Sequence, residues 1–311
     1  MWDFDLMAAV RAIEKSMAYA LYRLMLCFGA ALGYLLATLA GAGTLVGFGS
    51  LAKNALALGP LGALVGFALF AWLMFKIRPT WLNVVHIPQL ALLADQTRGV
   101  SLPSGKAQVD HAKRRQAESF PSTRKLFELD EAMRQTQADM ADLHPCPKLP
   151  ADRPAISNLA MNLVRRLSAL NDQTLLAWHL YTGSDNPWRS AARGLAVQEQ
   201  HFAAMTRNRL VATVFAWLGL VAAYPLFLAG IEMLIDDIPI NFSFWPKVFA
   251  GVFAWAVKAA FFDAIAEAAM MQVFFPWAEQ EPDTSSQETL ARHSASYREI
   301  LQKAGEQPEE T

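Results

Sequence analysis

Three ionisable residues stand where few are expected. Lys258, Asp263 and Glu267 lie within an otherwise apolar run from Val248 to Phe275. A charge at the centre of a membrane helix costs ~2.5 to 3.5 kcal/mol on insertion scales, so each such group marks a site by default. One ammonium with two carboxylates nearby could line a polar path for an anionic or zwitterionic solute, or form ion pairs that fix helix register. Spacing restricts the pairing. Asp263 and Glu267 are four residues apart and share a face, but at ~100° per residue Lys258 lies ~140° from Asp263 and ~180° from Glu267. The α-helical spacing therefore predicts no salt bridge to Lys258 within its own helix. Its partner is expected to be water, a carboxylate of another helix, or Asp263 or Glu267 of a neighbouring subunit, with snorkelling to a lipid headgroup as the alternative. With Trp245 as an outer aromatic anchor, Lys258 should sit ~20 Å from the outer end, Glu267 near the inner interface and Asp263 about one turn deeper.

No other constellation carries chemistry. The 6 histidines (His86, His111, His144, His179, His201 and His293) form no HExxH, and Glu199 and His201, two apart, point to different helix faces. No metal site is expected. There is no Walker loop, dinucleotide-binding glycine turn or nucleophile elbow, so no catalytic residue and no cofactor are assigned. Glu128, Asp130 and Glu131 read as a solvated helix face, and Asn158, Asn162, Arg165 and Arg166 as the polar side of theirs. Of the 2 cysteines, Cys27 lies in an apolar block and Cys146 between two prolines, which suggests free thiols.

The elements that hold the charged residues are apolar blocks in two pairs. Leu24 to Ala52 and Ala55 to Phe75 form the first pair; Leu210 to Ile231 and Val248 to Val257, continuing to Phe275, form the second. About 20 apolar residues cross a ~30 Å hydrocarbon core, and each block has roughly that many. With 54% hydrophobic and 18% charged residues, the chain is expected to be an all-α, polytopic membrane protein with four transmembrane helices and a cytoplasmic helical domain. The expected division is residues 1–76 for the N-terminal tail and first two spans, 77–207 for the helical domain, 208–276 for the last two spans and 277–311 for an acidic tail. A cleaved signal peptide is not expected, because the first block is far longer than a signal core of ~7 to 15 residues.

Positive charge sets the orientation. Arg11, Lys15 and Arg23 precede the first span, Lys76 and Arg78 follow the second, and Arg207 and Arg209 precede the third. Lys53 alone marks the first link, and Lys247 faces Glu232, Asp236 and Asp237 in the second. Both termini and the middle domain should face the cytoplasm.

Gly29 with Gly33, and Gly62 with Gly66, match the small-xxx-small spacing that lets another helix backbone approach, so these four are read as packing positions. The first block exceeds one perpendicular span; around Gly41 to Gly49 it is either a tilted helix or a broken segment lining a cavity.

In the middle stretch, Trp81 to Leu93 is apolar enough to lie in the membrane interface. A helical pattern runs from Ala107 to Leu143 with a break at Pro121, then a loop from His144 to Pro154, then a helix from about Ala155 to Tyr181 closed by Gly183. Asn186 and Pro187 restart a helix that should continue unbroken into the third span. In the tail, Ser285 and Glu288 form a capping-box pattern ahead of Leu290, Tyr297, Ile300 and Leu301, which share a face; this helix should dock on the middle domain or meet a partner. The segment Gln307 to Thr311 should be disordered.

The basic clusters Lys113-Arg114-Arg115 and Arg165-Arg166 lack interleaved aromatics, so lipid headgroups are the expected neighbours and nucleic acid is not. The expected partners are the lipid bilayer, a second copy in a homo-oligomer, and a protein meeting the domain or tail helix.

Ser184-Asp185-Asn186-Pro187-Trp188, the stretch Gln198 to Arg209, and Lys258-Ala259-Ala260 through Met270-Met271-Gln272-Val273-Phe274-Phe275 resemble a group of uncharacterised bacterial four-span membrane proteins. The resemblance covers mainly the C-terminal half; it implies a bacterial inner membrane and brings no activity. The last span and tail also resemble the final helices of the much larger choline-transporter-like proteins. The expectation is a non-enzymatic scaffold or assembly factor, with a homo-oligomeric transporter or channel lined by Lys258 as the alternative.

Overall fold

The computed structural model describes residues 2–50, 58–144, 173–235 and 244–305, and every regular element among them is helical. Helix α1 spans Leu6–Lys15, α2 Met17–Ser50, α3 Gly59–Lys76, α4 Arg78–Trp81, α5 Ile87–Thr97, α6 Lys106–Ser119 and α7 Thr123–Leu143. Beyond residue 172, α8 spans Thr174–Thr182, α9 Pro187–Gln200, α10 Phe202–Ile235, α11 Trp245–Val257, α12 Asp263–Ala278, α13 Thr284–His293 and α14 Ala295–Gly305. Two π-helical turns join neighbours without a loop: Leu82–His86 links α4 to α5, and Lys258–Phe262 links α11 to α12. The expectations for Lys53, Cys146, Asn158, Asn162, Arg165, Arg166, Asp236, Asp237 and Gln307 to Thr311 lie outside the described residues.

Local chemistry sets the boundaries. Asp5 caps α1 by accepting from the backbone N–H groups of Met7 and Ala8, and Ser122 caps α7 by accepting from that of Lys125. Asn186 accepts from the N–H of Trp188 ahead of Pro187, the first residue of α9. Gly183, at φ +61°, ends α8 in the left-handed conformation that a side chain disfavours.

Four helical stretches are long and apolar enough to cross a bilayer: Met17–Gly49, Gly59–Lys76, Phe202–Leu234 and Trp245–Ala278. Helix α2 runs unbroken through Gly41 and Gly49. At 1.5 Å per residue its 34 residues reach ~50 Å, about 20 Å more than the hydrocarbon core. The surplus does not hang in solvent. Tyr19, Ala20 and Arg23 at the base of α2, Met205 and Ala212 on α10, and Ala264 to Phe275 on α12 are largely buried. Farther along, the same helices expose Met25, Leu36 and Phe48 on α2 and Val214, Leu218 and Val221 on α10 to the surroundings. Three long helices therefore pass from an apolar belt into a packed domain without a joint.

That domain has one large core, with a smaller cluster of Tyr19, Leu92 and Ala112 beside it. The large core joins Ile13 of α1, Leu90 of α5, Leu129 of α7, Leu195 of α9, Phe274 of α12, and Tyr297 and Ile300 of α14. Trp178 of α8 packs its ring against Phe274 and Phe275, with centroids 6.1 and 5.5 Å apart. The N-terminal helix, the described part of the middle stretch and the tail helices thus assemble at the same end of the four long apolar helices.

Several local expectations are corrected. The segment Trp81 to Leu93 is not interfacial: α5 is buried from Ile87 to Asp95, and a helix apolar nearly all round belongs in a core. Helices α9 and α10 are separate, because the backbone turns at His201. The tail forms two helices divided at Ser294, and Asp283 rather than Ser285 occupies the cap position. It does dock on the domain: the Tyr297 hydroxyl donates to the Ala192 carbonyl at 3.2 Å, and the Asn186 amide to that of Ala304 at 3.3 Å. Asp130 is buried rather than solvated, and accepts from Arg134 at 2.8 Å.

The glycines divide by contact. A Cβ on Gly62 would strike the Gly41 carbonyl, and one on Gly66 the Ala37 carbonyl, so α2 and α3 cross there backbone to backbone. Gly33 lies under the Phe70 ring. Gly29 meets nothing within 4 Å and is not part of the crossing.

Candidate functional site

The geometry around Lys258 starts in its backbone. In the π-turn Lys258–Phe262 the N–H of Asp263 donates to the carbonyl of Lys258, five residues back rather than four. This underwinds the helix by one residue and stacks Asp263 over Lys258. The lysine ammonium donates to Asp263 Oδ1 at 2.6 Å, a charge-assisted bond within one helix. The expectation that Asp263 is not its partner within one chain is overturned, and the reason is local: the ~140° separation holds for α-helical spacing only. The ammonium also stands 5.2 Å from the centre of the Trp217 ring on α10. Lys258 is 3% exposed, so charge and ring enclose it.

One turn further, Glu267 faces a different cation. Arg23, placed by its sequence position as a flanking charge, lies inside α2 and is fully buried. Its Nη1 is 3.6 Å from Glu267 Oε2, an ion pair too long to be a hydrogen bond. Arg23 Nη2 donates to His86 Nδ1 at 3.2 Å, and His86 closes the π-turn Leu82–His86. For Nδ1 to accept, the ring must be neutral with its proton on Nε2. Burial, and then the Arg23 charge, push the His86 pKa below its usual value, which agrees with that tautomer.

The result is a layer in which two cations, Arg23 and Lys258, face two carboxylates, Asp263 and Glu267, from two stretches of chain, with His86 added from a third. It lies where α2, α10 and α12 leave the apolar belt. The residues Lys258, Asp263 and Glu267 singled out in the sequence are thus brought together, with Arg23 and His86 added. Sequence gave a weak signal for Arg23, as the last charge before an uncharged run, and none for His86. A cavity of about 30 Å³ opens beside the layer, lined by Thr174, Arg209, Thr213, Asp263 and Glu267 among others. That is room for about one water molecule.

Other polar pairs lie away from this layer. The Ser190 hydroxyl lies 3.3 Å from His179 Nδ1, the same imidazole is also held by the Ser119 backbone, and no carboxylate pairs with it among the described residues. Asp95 is gripped by His111 at 2.9 Å and by Arg115 at 3.1 Å, a strut between α5 and α6. His144 pairs with Glu199 at 2.8 Å and stacks on Phe202, so Glu199 meets His144 and not His201. No group of three metal-ligating side chains occurs among the described residues. No protein-family model, curated protein or solved structure matches the chain.

Proposed function

We propose that this chain is a non-enzymatic membrane scaffold or assembly factor of the bacterial inner membrane, with both termini and the helical domain in the cytoplasm. The observation that carries this reading is continuity: α2, α10 and the helix from Trp245 to Ala278 run from the apolar belt into the domain core. Such a frame holds a domain at a fixed distance and angle from a bilayer. The ionic layer supports the reading too, because each carboxylate already has a cation and Lys258 has both Asp263 and Trp217. Lys76, Arg78 and Arg207 on the domain side of the spans support the cytoplasmic orientation.

The alternative, a transporter or channel lined by Lys258, needs a path wider than one water and two access states. One experiment separates the two. Spin labels on Ser104→Cys and Leu226→Cys in the full chain, reconstituted in vesicles, report the distance between domain and belt. A scaffold gives a single distribution, unchanged by a pH gradient, and no solute flux above empty vesicles. Two exchanging populations, with flux abolished by Lys258→Met, would reverse the order of the readings. Labelling of Ser104→Cys from the periplasmic side would overturn the orientation.

A further inference from the structure

The basic sequence cluster at residues 113–115 is dispersed by folding. Arg115 turns inward to Asp95, whereas Lys113 leans over the Tyr22 ring of α2, 4.6 Å from its centre. Tyr22 stands next to Leu21 and three residues before Met25, which are 49% and 72% exposed and begin the apolar belt on α2. On α3 the belt ends the same way. Trp72, Leu73 and Phe75 face outward, and Lys76, the last residue of that helix, folds back 5.7 Å over the Trp72 ring. Arg78 follows and lies 5.8 Å over Phe127 of α7. The start of α7 adds exposed Arg124 and Lys125 beside Thr123, whose hydroxyl accepts from the Asn83 amide just beyond α4. The acids on α6 and α7 include Asp110, three residues before Lys113, Glu118, 4.0 Å from Arg115, and Glu128, paired with Arg124 at 2.9 Å.

We propose that Lys76, Arg78 and Lys113, with Arg124 and Lys125 behind them, form a rim that selects anionic phospholipid headgroups in the leaflet next to the helical domain. The argument is charge and continuity. These cations lie within about one turn of side chains that face the acyl chains, and at that depth the negative groups available are headgroup phosphates. Their aromatic supports hold the charged ends at the boundary while the stems cover apolar surface. Lys76 and Lys113 have no carboxylate within 4.0 Å among the described residues, unlike the two cations of the buried layer. The proposal goes beyond the scaffold reading and shares with it only the membrane location.

Spin-labelled phosphatidylglycerol and phosphatidylcholine, each in vesicles holding the full chain, test it through the motionally restricted lipid fraction. The restricted fraction should be several-fold larger for the anionic lipid, and the excess should vanish in ~1 M salt, where the Debye length is ~3 Å. In Lys76→Gln/Arg78→Gln/Lys113→Gln the excess should be lost, leaving nearly equal restricted fractions for the two lipids, while Lys76→Arg/Lys113→Arg keeps it. The control Arg292→Gln/Arg298→Gln, on the tail helices, should leave it unchanged. Equal fractions for both lipids in the unsubstituted chain would overturn the proposal while leaving the membrane location intact, and so would a preference that survives the triple substitution. No restricted lipid of either kind would instead remove the membrane reading itself.

Discussion

Lys258 and Asp263, five residues apart on one helix, form an ion pair at 2.6 Å because the turn between them is π-helical. The backbone departs from α-helical spacing where a buried cation needs a partner. A π-turn also occurs at Leu82–His86, which brings His86 to Arg23, so both irregular turns border the same ionic layer. Irregular turns of this kind concentrate at functional sites, and here they align charges that regular spacing would keep apart.

Breaking this pair from one side should be costly. Asp263→Leu or Lys258→Met alone leaves a buried charge uncompensated and should destabilise the chain by about 3 to 5 kcal/mol. The double variant Lys258→Met/Asp263→Leu should lie close to the unsubstituted chain. Unfolding titrations in mixed micelles give the double-mutant cycle; additive losses would mean that the two residues do not act as a pair.

The α2–α3 crossing should respond to glycine identity position by position. Gly66→Val drives a side chain into the Ala37 carbonyl and should cost about 1 to 3 kcal/mol or more. Gly29→Ala meets open space and should be neutral or stabilising by up to ~1 kcal/mol. The same unfolding assay ranks them, and equal effects would argue against the close approach.

Stability of the domain should fall in mild acid. Burial pushes the His179 pKa down to about 4, below the ordinary ~6.5 of the unfolded chain. Between those values the unfolded state binds more protons than the native one, so stability rises with pH. The His179 contribution is complete above ~6.5 and drops by up to ~3 kcal/mol as pH falls toward about 4. His86 acts with the same sign. A His179→Gln variant should therefore show a flatter pH profile, measured by chemical unfolding at a series of pH values.

The tail should be held by its buried face. Ile300→Ala empties a fully buried position against α7 and α9 and should cost ~2 to 5 kcal/mol. Limited proteolysis after Glu279 to Pro282 should then release α13 and α14 much faster. Leu301→Ala, at a 38% exposed site, should leave the rate nearly unchanged.

Sequence by itself determined the class of the protein. Apolar runs of about 20 residues with few charges have one low-energy environment, so four apolar helices and an all-α fold followed from composition and length. Gly183, Asn186 and Pro187 act within a few bonds, so the start of α9 and the end of α8 were legible too. Tertiary structure decided what spacing could not. Whether Trp81 to Leu93 meets lipid or protein depends on α1, α6 and α8 closing around α5, and hydropathy reads the same in both environments. Arg23 looks like any flanking charge until α2 is seen to continue below the belt and meet Glu267. The Lys258–Asp263 pair was hidden for a different reason: periodicity assumes a uniform helix, and the free energy of satisfying a buried ammonium selected a local turn that is not uniform.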